Sequence, residues 1–145
     1  MRPGVTGRRY KPSSEAQQRY EADVAAAARR AELLAAASEA ETQFREAQAG
    51  HAPDAELRRL ALGLDSALTA AMHAAFAAQR AEIGPRGYDD RIYRRKARAT
   101  PRVHALTAEA ERLLTLRETH RLNDIPAVTF EPSPLMAPSP RPEPR

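Results

Sequence analysis

The chain has no cysteine and no tryptophan among its 145 residues, and only 23 of them are Leu, Ile, Val or Phe. Without cysteine there is no disulfide framework, no thiolate metal site and no cysteine nucleophile, and a reducing compartment is compatible. The shortage of large apolar residues is sharper than the hydrophobic total of 42% suggests, because 31 of those residues are Ala. Large aliphatics and Phe fall below the roughly one-fifth at which disorder becomes a serious reading, but the second mark of a disordered chain, a high net charge, is missing at +4. Alanine is the best helix former and buries the least surface. Composition therefore predicts an all-α chain with room for one domain, built of elongated, thinly packed helices that favour a partner.

Other absences narrow the function. No uninterrupted apolar run reaches the roughly 18 residues of a membrane span, and the basic first dozen residues lead into no apolar signal segment. The expectation is no membrane contact and a cytoplasmic location, or a particle assembled in the cytoplasm. The six glycines fit neither GxGxxG nor GxxxxGK[ST], and Ser66 lacks the flanking glycines of a nucleophile elbow. His51, His73, His104 and His120 include no pair four apart, so no helical metal-ligand spacing is present. The neighbouring carboxylates Glu39/Glu41, Asp89/Asp90 and Glu109/Glu111 point apart on a helix and form no acid–base dyad. The sequence thus predicts no enzyme, no cofactor, no metal and no small-molecule substrate.

What the chain does have is helical pattern and clustered arginine. Residues 1–13 carry Arg2, Arg8, Arg9 and Lys11 without an acid and read as a flexible basic arm. A helical hairpin is predicted over 14–83. Ser14 and Gln17 have capping-box spacing at its start. Tyr20, Val24, Ala27, Ala31 and Leu34 share one face, whereas Leu33, Ala37, Ala40, Phe44 and Ala47 share another, which predicts that the two halves face different neighbours or that the helix bends or breaks near Ala35–Ser38. Gly50 to Asp54 read as the hairpin turn. The second arm carries the clearest apolar stripe, with Leu57, Leu60, Leu64, Leu68 and Met72. Together with Phe44 these residues are the predicted core and protein interface.

Gly84–Arg102 is a bounded basic connector, stopped by Gly84-Pro85 before it and Thr100-Pro101 after. It carries Arg86, Arg91, Arg94, Arg95, Lys96, Arg98 and Arg102 against only Asp89 and Asp90. If helical from an Asp89 or Asp90 cap, it sets Arg91, Arg94, Arg95 and Arg98 along one line beside a narrow strip of Tyr88, Ile92 and Ala99. A C-terminal helix is predicted over 103–123, with Thr100 as its cap and Val103, Leu106, Ala110, Leu113, Leu114 and Leu116 as its apolar set. Residues 124–145 read as a proline-rich tail, since seven of the twelve prolines lie between Pro126 and Pro144. Ile125, Val128 and Phe130 precede that run as an extended apolar strip.

There are 21 Arg and only 2 Lys. This excess accompanies the alanine excess as coding bias would, so placement of the arginines informs more than their number. Two functions fit. The first is a non-enzymatic assembly or adaptor protein, a structural part of a larger, phage-like complex, with protein partners or copies of itself bound through the helix stripes. The alternative is a nucleic-acid-binding accessory protein. It would use Arg86, Arg91, Arg94, Arg95, Lys96, Arg98 and Arg102 with Arg8, Arg9 and Lys11 of the arm, because the planar guanidinium fork pairs bidentately with phosphate.

Overall fold

The computed structural model describes residues 9–125, and among these there are six helices and no strand. They are α1 (Ser14–Ala28), α2 (Arg30–Ala49), α3 (Asp54–Ile83), α4 (Arg86–Asp89), α5 (Arg91–Arg98) and α6 (Pro101–Asp124). The arm residues 1–8, Arg8 included, and the tail residues 126–145, with Val128 and Phe130, lie outside the described residues.

Helix α3 is the centre. It packs against α1, α2 and α6, and α2 and α6 also meet each other, through Phe44 with His120 and Arg30 with Glu109. Cross-links fix the directions. Arg80 near the end of α3 meets Asp23 in α1, in the first half of the α1–α2 run, and Gln79 donates to Thr107 at 2.7 Å in the first part of α6. At the other end Arg121 meets Asp65 at 2.6 Å. The three long elements therefore run up, down and up. Alanine makes this packing close. Ala37, Ala61, Ala71, Ala75 and Ala110 share the core with Phe44, Leu64, Leu68, Met72 and Leu113. Helix axes can approach closely where the contact atom is a methyl group, so few large residues suffice to close the core.

By length and composition α3 is the one helix among the described residues apolar enough to cross a membrane, and 44% of its most apolar window is buried in the chain. Its apolar residues are mostly alanines pressed between neighbouring helices, the setting of a core helix. The six residues predicted as core and interface, Phe44, Leu57, Leu60, Leu64, Leu68 and Met72, lie in or against this internal cluster. Phe44, Leu64, Leu68 and Met72 are buried, and Leu57 and Leu60 are partly buried against them.

Local boundaries differ from the sequence reading in instructive ways. The long first helix breaks at Arg29, not near Ala35–Ser38. No Pro or Gly marks the spot; the Arg29 N–H bonds to Ala26 three residues back, a tightened turn that lets the apolar face change. Its start is capped by Ser13, whose Oγ accepts from the Ala16 N–H at 3.1 Å, while the Gln17 amide reaches Glu21 instead of forming a box with Ser14. At the end of α2 the left-handed residue is His51, with φ 52°, and Gly50 keeps φ −83°. The N–H groups of Ala52 and His51 bond to Ala47 and Gln48 respectively, the paired bonds of a Schellman end. Thr100 turns its hydroxyl back to the Ala97 carbonyl at 2.7 Å, so α6 begins on Pro101 without a side-chain cap. Of the predicted α6 stripe, Val103, Ala110 and Leu113 are buried, whereas Leu114 and Leu116 are exposed.

Candidate functional site

An isolated eight-residue helix is unstable in water, so α5 exists because its surroundings hold it. Asp90 caps it, accepting from the Tyr93 N–H at 2.9 Å. Arg94 reaches back across the turn and donates to the Gly87 carbonyl at 3.0 Å. The Arg86 guanidinium lies over two rings, 5.2 Å from the centroid of Tyr10 and 4.7 Å from that of Tyr93, and donates to Asp90 at 3.3 Å. Gly87 lets α4 close on α3, because a Cβ there would lie 2.5 Å from the Ile83 Cγ2.

Two further carboxylates moor this corner. Asp23 on α1 accepts both prongs of Arg80, at 2.8 and 3.0 Å, and the Tyr88 hydroxyl as well. Burial works against charge on Asp23, but the Arg80 fork and the Tyr88 hydroxyl outweigh it and hold its carboxyl below the ordinary range. Burial, then the bond to Asp23, pushes the Tyr88 hydroxyl upward. Asp89 accepts three bonds from the N-terminal segment: from the Ser13 N–H at 2.8 Å, the Ser13 hydroxyl at 2.7 Å and the Tyr10 hydroxyl at 2.5 Å. These donors, the Ser13 N–H first, hold the Asp89 carboxyl low, and the Tyr10 hydroxyl's own bond to Asp89 pushes it up to about 12.

The basic residues predicted as one site divide into two groups. Arg86 and Arg94 brace the corner, and Arg102 pairs with Glu82 at 2.9 Å. Arg91, Arg95, Lys96 and Arg98 are exposed and have no ion pair or side-chain hydrogen bond among the described residues. At about 100° per residue, Arg91, Arg95 and Arg98 share an arc of roughly 60° and span about 10 Å of helix axis, with Lys96 farther round. The predicted line of four thus loses Arg94 to structure. The predicted apolar strip also dissolves: Tyr88 belongs to α4 and bonds Asp23, while Ile92 is 69% exposed. Arg9 and Lys11, on either side of Tyr10, are likewise exposed.

Sequence reasoning missed three features. Asp89 and Asp23 carry no local signal, since their partners lie tens of positions away. His120 is buried, with Nδ1 2.9 Å from Asp124, Nε2 2.7 Å from the Ala61 carbonyl, and its ring edge-on to Phe44. Its only trace in the sequence is the four-residue spacing to Asp124. Compared with models of known protein families, with curated proteins and with solved structures, the chain matches none.

Proposed function

We propose that the protein is a non-enzymatic accessory module that binds the phosphate backbone of duplex nucleic acid through α5. The observation that carries this reading is the division of the basic residues: Arg91, Arg95, Lys96 and Arg98 stand exposed and, among the described residues, unpaired on a helix that Asp90, Arg86 and Arg94 brace. A fixed helix bearing guanidinium forks along one side matches phosphates spaced along a backbone. A protein partner would want a desolvated apolar centre, and a membrane would want bulky apolar anchors. Here α5 offers only Ile92 and the Tyr93 ring, which lies against Arg86. Duplex is favoured over single strand because the aromatic rings are engaged. Tyr10 and Tyr93 lie against Arg86, and Tyr88 is bonded to Asp23, so the rings beside α5 are engaged within the chain among the described residues.

A second reading, a helical component of a larger assembly, draws support from the groove between α1 and α6. Tyr20, Val24, Ala27, Ala81, Ala105 and Leu106 line it, and Val24 is 43% exposed. Small residues at its floor would admit another helix. Sedimentation of the purified chain addresses this reading: a monomer at all concentrations counts against self-assembly.

The nucleic-acid reading is tested by fluorescence anisotropy with a short labelled duplex. Micromolar-range binding is expected for the native chain and at least a ten-fold loss for the combined Arg91→Gln, Arg95→Gln and Arg98→Gln variant. Equal binding by the native and triple-variant proteins would overturn the reading.

A further inference from the structure

We infer that a cleft where α1, α3, α4 and α5 meet is a binding site for one phosphate monoester dianion, separate from the exposed α5 arginines. The cleft has a volume of about 360 Å³ and is lined by Arg19, Ala22, Asp23, Arg80, Tyr88 and Arg94. None of Arg91, Arg95 and Arg98 lines it, so the site goes beyond the nucleic-acid reading above and does not rest on it. Helix period gathers the first wall: Arg19, Ala22 and Asp23 stand three and four positions apart on α1 and share one face. Arg80 joins them from α3, Tyr88 from α4 and Arg94 from α5.

The lining sets three guanidinium groups against one carboxylate. That carboxylate is already engaged. Asp23 accepts two bonds from Arg80 and one from Tyr88, and its side chain is only 15% exposed. Pairing Asp23 with Arg80 leaves the charges of Arg19 and Arg94 uncompensated within the cleft. Arg94 gives one Nη1 bond to the Gly87 carbonyl, and the rest of its fork has no partner among the described residues. Arg19 meets Glu15 at 3.4 Å between two exposed side chains, a contact that holds it weakly in water, and Glu15 does not line the cleft. Two remaining cations match the charge of a phosphate monoester, and each planar fork pairs with phosphate oxygens two at a time. A carboxylate ligand carries half that charge. The volume is that of a small-ligand site, so the cleft has room for an organic group attached to the phosphate. Such a phosphate has two sources, a small phosphorylated molecule or the phosphorylated end of a nucleic-acid strand.

The test titrates inorganic phosphate into the full chain at about pH 8, where the dianion dominates, with chloride holding the ionic strength constant. Calorimetry is expected to show saturable binding by the native chain. Arg19→Gln, at an exposed position outside the hydrogen bonds of the corner, is expected to weaken it about ten-fold while leaving the melting temperature in chloride unchanged. Arg94→Lys keeps the charge, loses the fork and is expected to weaken binding several-fold. Arg95→Gln removes an equal charge outside the cleft and is expected to leave phosphate binding unchanged. Duplexes with 5′-phosphate and with 5′-hydroxyl ends then separate the two sources. A preference for the phosphorylated end that Arg19→Gln abolishes assigns the site to nucleic-acid termini; equal binding of the two duplexes, with phosphate still bound, assigns it to small phosphorylated molecules.

No saturable phosphate binding by the native chain, binding untouched by Arg19→Gln, or equal losses from Arg19→Gln and Arg95→Gln would overturn the site. Because phosphate itself is the probe, those results leave the α5 reading standing, and a native chain that binds phosphate but no duplex overturns the α5 reading alone.

Discussion

Arg94 donates to the Gly87 carbonyl at 3.0 Å, so a residue at the centre of the basic stretch braces the turn that carries it. Arg95, its neighbour in sequence, has no such bond and is exposed. The two identical side chains are therefore expected to behave differently. Arg94→Gln loses a charge-assisted hydrogen bond at a half-buried position and is expected to lower stability by about 1 kcal/mol. Arg95→Gln is expected to stay within roughly 0.5 kcal/mol of the native chain. Urea unfolding of the two single variants checks the difference.

Two glycines give a paired expectation of opposite sign. Gly63 lies within α3 with nothing inside 4 Å of the Cβ it lacks, so Gly63→Ala is expected to stabilise by about 0.5–1 kcal/mol through helix propensity. At Gly87 the new methyl would meet the Ile83 Cγ2 at 2.5 Å. Gly87→Ala is expected to cost about 1–3 kcal/mol, because α4 must move off the end of α3. Thermal melts of both variants decide; stabilisation by both would show that α4 does not close on Ile83.

Acid sensitivity follows from the aspartates. Asp23, Asp65 and Asp89 all have carboxyls held below the ordinary value of 3.8, by Arg80 and Tyr88 against the opposing effect of burial, by Arg121, and by Ser13 with Tyr10 respectively. A carboxyl lowered in the folded chain binds its proton first in the unfolded chain. Its stabilising contribution is therefore complete above pH 3.8 and is lost as pH falls through the folded value. Asp23→Asn is expected to cost about 1–2 kcal/mol near neutrality, discounted for the exposed Arg80, and to flatten the decline of stability below about pH 4. Chemical denaturation at a series of pH values measures both, and an unchanged acid profile would remove Asp23 from the account.

Local rules made much of the architecture legible. Helix α3 follows from its leucine stripe and from Pro53-Asp54 at its start; the end of α5 and the start of α6 follow from Thr100-Pro101. The break at Arg29 was not legible, because an arginine gives no backbone signal and the turn is set by which face of α1 and α2 meets α3. The same limit applies to the basic stretch. Its bounds and total charge are written in sequence, but the division between bracing and free arginines depends on the Gly87 carbonyl, the Tyr10 and Tyr93 rings and Glu82. Asp89 looked like a second capping candidate beside Asp90. Only the return of the chain at Tyr10 and Ser13, more than 70 positions earlier, gives it a different task.

The most direct test of the central claim is the salt dependence of duplex affinity. Each neutralised phosphate contributes a slope of about −0.9 to log K against log salt. Combined substitution of Arg91, Arg95 and Arg98 by Gln is expected to reduce the magnitude of the native slope by roughly 2.7. Arg94→Gln is expected to leave that slope unchanged, since its guanidinium serves Gly87. A triple variant with the native slope, or a slope that falls on removing Arg94 alone, would contradict the assignment of the exposed α5 arginines as the phosphate-binding group.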